Sequence, residues 1–218
     1  MKSLSLFAAA SCVGAFLFGQ TASAAPVAAD AVWAPPAGFL PRFHEACDAQ
    51  RGRAFNDCFL EQMRTAGAPP PALAFARGTG GLGYLRAFRE TGKVDVAYAE
   101  YPFRANQNQV CLLVNGEPPR IDVDDTTLLD RQGLAANRNW HDVLKKYPKA
   151  TLFPSDRGGP TLPGARRFGD GGQEFVVDYV ARDGCHACAA VGTVRFLFRF
   201  DATGKFLGTA VKTVRRRG

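Results

Sequence analysis

The residues best equipped for chemistry lie in the stretch DGCHACAAVG, Asp183 to Gly192, where two cysteines three positions apart enclose a histidine. Four chemistries use patterns of this kind. Covalent haem attachment needs C-x-x-C-H, with the histidine directly after the second cysteine. Ala189 holds that position, which excludes it. A structural zinc site needs four ligands. Cys111 and a distant histidine are the candidates to complete one, but no second pair is spaced for it. Thiol–disulfide exchange uses C-x-x-C because a thiol beside a cationic group, or at a helix start, ionises readily. Here only Ala189 to Val191 separate Cys188 from Gly192 and an apolar strand pattern, which leaves no room for an active-site helix. The fourth use is a disulfide-closed ring at a hairpin tip. Chain entropy gives about 2 kcal/mol for closing a four-residue ring. Its larger effect is local, because fixing the backbone of His186 and Ala187 lowers the entropy cost of binding through them. On this reading His186, Ala187, Arg182 and Arg195 are the binding residues. On the redox reading Cys185, Cys188 and His186 act. The ring also serves simply to fix a turn. None of these three uses calls for a cofactor or a metal.

Other constellations are weaker. Gly78, Gly80 and Gly83 in RGTGGLG match the G-x-G-x-x-G of dinucleotide sites. That match carries meaning only between a strand and a helix inside a βαβ unit, and the strand that follows reads as half of a hairpin. Ser155 is the only serine beyond Ala25, and it lacks the strand–elbow–helix setting of a nucleophile. His44 and His141 lie in helical patterns as packing or surface residues.

The elements that must position these residues follow from patterning. Lys2, an apolar run from Leu4 to Phe18 and the small-residue series Ala22-Ser23-Ala24 have the form of a cleaved secretory signal over residues 1–24. The apolar run is shorter than the ~20 residues of a spanning helix. The expected location is therefore periplasmic or secreted, where disulfides persist. An Ala/Pro-rich extended segment follows over 25–41, and 42–218 then reads as one α+β domain.

Helical spacing over RFHEACDAQ and RAFNDCFLEQMRTAG predicts two short helices broken at Arg51-Gly52-Arg53. In one unbroken helix Cys47 and Cys58 would stand ~16 Å apart, too far for a disulfide, which needs Cα atoms within ~7 Å. Folded back at Gly52, the helices bring Cys47 and Cys58 into reach and leave Cys111 unpaired in an apolar strand. The proline run of GAPPPA ends the helical part, and a glycine loop leads into a short helix over YLRAFRETG. Lys93–Phe103 and VCLLVNG alternate as a strand hairpin. A helical insertion over DDTTLLDRQGLAANRNWHDVLKKYP, capped by Asp124 or Asp125, and a Gly/Pro-rich loop come next. The last third is a three-stranded meander. In it Val194, Phe196, Phe198 and Phe200 share one face, Arg195, Leu197 and Arg199 share the other, and DATG makes a turn at Gly204. The expected architecture is an N-terminal helical hairpin, then a mainly antiparallel sheet with a helical insertion and a C-terminal β-meander.

The charge is uneven. The chain holds 27 lysines and arginines against 20 acids. From Ala165 onward there are ten against five. A basic surface of this kind either is a solvated face or favours anionic envelope partners such as lipid headgroups and anionic glycans, with a protein partner also open. Export and the lack of an aromatic-plus-basic motif argue against nucleic acid.

The stretch RFGDGGQEFVVDYVARDGCHACAAVGTVRFLFRFDATGKFLGTA, Arg167 to Ala210, resembles the central hairpin of the periplasmic inhibitor of vertebrate lysozyme family. That family has a strand, a disulfide-closed loop with a histidine, and further strands. The resemblance implies a Cys185–Cys188 bridge, with His186 as the residue inserted into a partner's active site. The family loop carries four residues between its cysteines, where this chain has two.

Overall fold

The computed structural model describes residues 26–80, 82–104, 108–155 and 164–217. The predicted signal segment 1–24 and most of the Gly/Pro-rich loop after Pro154 lie outside them. The fold is α+β, with a helical layer, a four-stranded sheet and a five-stranded sheet stacked in chain order.

The helical layer holds α1 (Phe39–Cys47), α2 (Gly52–Thr65) and α3 (Pro70–Gly78). Phe39, Phe43 and Cys47 recur every four residues and are buried, as are Phe59 and Met63 on α2. Gly52 adopts φ +57°, a left-handed conformation that glycine enters without a Cβ clash. The chain reverses there, and Cys47 and Cys58 form a disulfide pair with Cα atoms 6.0 Å apart. Phe43 packs against Phe55, Phe59 and Phe103 with ring centroids 4.8–5.2 Å away. The proline run does not end the helical part. Pro70 starts α3, where a missing N–H costs nothing because first-turn N–H groups have no helical partner.

The stretch read as a short helix over YLRAFRETG is instead strand β1 (Tyr84–Arg89). A bulge between Leu85 and Ala87 breaks its period of two, which hid the strand. Helix, glycine loop and strand thus run in the reverse order to a dinucleotide site, and no helix N-terminus follows Gly83. β1 pairs antiparallel with β2 (Asp95–Glu100), then β3 (Gln109–Val114) and β4 (Arg120–Asp122). One face of this sheet packs on α3 and Ala31, and the other carries Val94, Val96, Leu113 and Ile121 into the central core.

The helical insertion is three pieces rather than one helix. A 3-10 turn (Thr126–Leu128), α4 (Arg131–Ala135) and α5 (Arg138–Lys146) follow one another. Each has its own cap, since Asp125, Asp130 and Asn137 accept from the backbone N–H of Thr127, Gly133 and Trp140. Asx side chains that offer an acceptor to the chain ahead start new helices rather than continue old ones.

The second sheet is built on the meander β7 (Gln173–Asp183), β8 (Ala190–Phe200) and β9 (Phe206–Arg216). Two shorter strands, β5 (Ala150–Pro154) and β6 (Ala165–Arg167), pair with β7 along the side away from β8. Phe175, Val177, Tyr179 and Ala181 of β7 and Val194, Phe196, Phe198 and Phe200 of β8 form the inner face under α4, α5 and the first sheet. Buried Gln173 joins the two sheets: its Oε1 accepts from Val94 N at 2.8 Å and its Nε2 donates to Val94 O at 3.0 Å. Gly204 makes the β8–β9 turn at φ +91°.

Candidate functional site at the hairpin tip

β7 and β8 run as a regular antiparallel pair until the register shifts between Ala181 and Arg182. The six residues from Gly184 to Ala189 then form the tip. Asp183 N donates to Ala189 O at 3.1 Å, and Cys188 N donates to Cys185 O at 3.1 Å. Within that turn Cys185 and Cys188 form a disulfide pair with Cα atoms 5.0 Å apart. Gly184 takes φ +86°, and a Cβ there would stand 3.3 Å from Lys149 Cβ, so the tip lies close against the α5–β5 turn. Arg182 reaches forward and donates from Nη1 to Cys188 O at 2.9 Å. Backbone, disulfide and guanidinium therefore fix the ring from three sides.

Phe153 on β5 stands opposite Val180 on β7, and Leu152 stands opposite Ala181. Because side chains alternate along strands, Phe153, Val180 and Arg182 share the outer face while Leu152 and Ala181 face the core. The His186 ring folds back onto that outer face and meets Phe153 edge-on, with centroids 5.2 Å apart at 87°. His186 is half-buried, whereas Cys185 and Ala187 are exposed.

The structure thus brings Arg182, Cys185, His186, Ala187 and Cys188 together. It does not bring Arg195, which faces Asp178 across the strands and holds it in a two-pronged ion pair at 2.6 and 2.9 Å. At ~3.3 Å per residue, Asp178 lies roughly 13 Å along β7 from Arg182. Phe153 and Lys149 were not identified from the sequence. Only the β5–β7 pairing carries them to the tip, and nothing in their local sequence announces that pairing.

The ring's setting limits its chemistry. Strands flank it, with Asp183 ending β7 and Ala190 opening β8, so no helix N-terminus faces Cys185 to stabilise a thiolate. Cys111, the free cysteine among the described residues, sits in β3 of the other sheet, paired in register with Tyr98. Its burial, with the carboxylates of Asp124 and Asp122 nearby, pushes its thiol up to about 12. Among the described residues no group of three or more His, Cys, Asp or Glu side chains is placed to hold a metal ion. His44 pairs with Asp48 at 2.9 Å on the exposed face of α1, and His141 bonds the carbonyl of Ala135. Neither approaches the ring's cysteines in the contacts observed. No helix among the described residues is long and apolar enough to cross a membrane.

Comparisons with known protein families, curated proteins and solved structures return no match to this chain.

Proposed function

We propose that the chain is an exported, non-enzymatic binding domain that presents the Cys185–Cys188 ring to a partner in the periplasm or outside the cell. The observation that carries this reading is the ring's bracing at a strand–strand tip, with Arg182 fastened to the Cys188 carbonyl and His186 laid on Phe153. A loop ordered before binding forfeits less entropy when it binds. The likeness to the lysozyme-inhibitor family, and the signal-like N-terminus, point the same way. On that likeness His186 is the residue offered to the partner. Leaving Phe153 would cost the histidine on the order of 0.5–1.5 kcal/mol, the scale of an edge-to-face pair. Contacts in a partner's cleft readily offset such a sum.

The second reading is a periplasmic thiol–disulfide protein, and the exposure of Cys185 favours it. The two readings separate in a trapping assay. A Cys188→Ser variant of the secreted protein should collect no mixed disulfides through Cys185, and the native protein should not catalyse insulin reduction. Abundant mixed disulfides together with insulin reduction would make the redox reading the correct one.

A further inference from the structure

The chain carries Arg215, Arg216 and Arg217 at the end of β9 and Lys145 and Lys146 in the last turn of α5. Two ordinary explanations account for part of this charge. Lysine and arginine on an edge strand discourage pairing with other chains, and cations at a helix C-terminus complement its dipole. Neither explains why the two sets converge.

Between α5 and the ends of β8 and β9 lies a groove of about 590 Å³, with Lys146, Arg215, Arg216 and Arg217 all in its lining. Val143, Val191 and Val214 supply apolar surface to it, and Asn139 and Tyr147 supply polar groups. One carboxylate lines it, Asp142, and that group is shared at 3.9 Å by Lys145 and by Arg216. Among the described residues no acidic side chain lies within ion-pair distance of Lys146, Arg215 or Arg217. The cations are held on ordered backbone. Arg217 N donates to Val191 O at 3.0 Å, and Asn139 Nδ2 donates to Val214 O at 3.1 Å, tying α5 to β9. A Cβ at Gly192 would meet Arg215 O at 2.8 Å, so the glycine is what lets β9 close over β8 beside the groove.

We infer that this groove is a binding site for a phosphate-bearing anionic ligand. A concave site lined by one sign of charge focuses its field on the ligand. Guanidinium forks match phosphate oxygens two at a time. The volume falls in the range of small-molecule sites, roughly 300–1,000 Å³, which exceeds the need of a single phosphate. A diphosphate or a phosphorylated headgroup with an apolar portion over the valines fits that combination. The site lies on the α5 side of the sheet, away from the Phe153 face, and does not rest on the role given to the ring.

The test uses the full mature chain with two probes, inorganic pyrophosphate and vesicles of phosphatidylcholine with or without phosphatidylglycerol. The native protein should bind one probe or both. Pyrophosphate binding assigns a soluble ligand, and binding only to the phosphatidylglycerol vesicles assigns a lipid headgroup. A variant combining Lys146→Ala, Arg216→Ala and Arg217→Ala should bind at least about tenfold more weakly, a loss of ~1.4 kcal/mol. A control combining Arg53→Ala, Arg64→Ala and Arg77→Ala removes the same charge from the helical layer and should retain binding. Where pyrophosphate binds, it should shift the NMR resonances of Asn139 and Tyr147 in the native protein, a readout that does not depend on either variant folding. No binding to either probe, equal weakening in both variants, or shifts confined to other residues would overturn the assignment.

Discussion

The rings of Phe153 and His186 meet edge-on at 5.2 Å, joining a strand laid down early in the second sheet to the tip of a hairpin formed 33 positions later in the chain. This contact sets the resting position of the histidine between the two cysteines. It predicts a coupling between the two side chains of about 0.5–1.5 kcal/mol. A double-mutant cycle of Phe153→Ala and His186→Ala, read by urea unfolding, measures it. Strict additivity would mean that the histidine is held by the ring alone.

Gln173 is 2 % exposed and spans the two sheets. Gln173→Leu keeps most of the volume but leaves the buried Val94 N–H without its acceptor. The expected loss is about 1–3 kcal/mol, the desolvation penalty of an unsatisfied buried group. Chemical denaturation checks it, and a loss well under that range would show that the link is dispensable.

The two disulfides should contribute unequally. The twelve-residue ring closed by Cys47 and Cys58 is worth roughly 3 kcal/mol by chain entropy, against roughly 2 for the four-residue ring at the tip. Replacing Cys47 and Cys58 by alanine should therefore lower the unfolding midpoint more than replacing Cys185 and Cys188 by serine. The converse ranking in denaturant would give the tip ring a larger part in the fold than its size allows.

Burial raises the Cys111 thiol from its ordinary value of 9 to about 12. Below pH 9 the thiol is protonated in both folded and unfolded chains, and its contribution is complete. Between pH 9 and 12 the unfolded chain ionises while the folded chain resists, so stability falls across that window. Tyr84, raised from 10 to about 12 by burial, adds to the same decline. Unfolding free energies measured across this range should drop less steeply in Cys111→Ala than in the native protein. Equal slopes would remove Cys111 as a source.

The meander was legible in the sequence because Val194, Phe196, Phe198 and Phe200 keep a strict period of two over a one-sided core. Its partner face held one surprise: Leu197, among arginines, is only 8 % exposed. The helical reversal was legible from Gly52 and the cysteine spacing. β1 was not, because its bulge shifts the pattern by one residue, and α3 was not, because its opening prolines read as a stop. The insertion was legible as helical but not as three pieces. Its breaks lie at Asp130 and Asn137, whose side chains cap the helices that follow them. At the site, the ring could be read from its spacing alone. Phe153, Lys149 and the groove beside α5 could not, since each arises from contacts between segments far apart in the chain.

On the proposed function the Cys185–Cys188 ring is a fixed binding element and not a redox centre. The reduction potential of that pair, measured on the purified protein against a glutathione or dithiothreitol series, decides between the two. The tip holds both sulfurs in place without a helix N-terminus to favour the thiolate, so re-closure is favoured. The expected potential is below about −300 mV, the range of structural disulfides in secreted proteins. A potential above about −250 mV, within the range of catalytic pairs, would contradict the account.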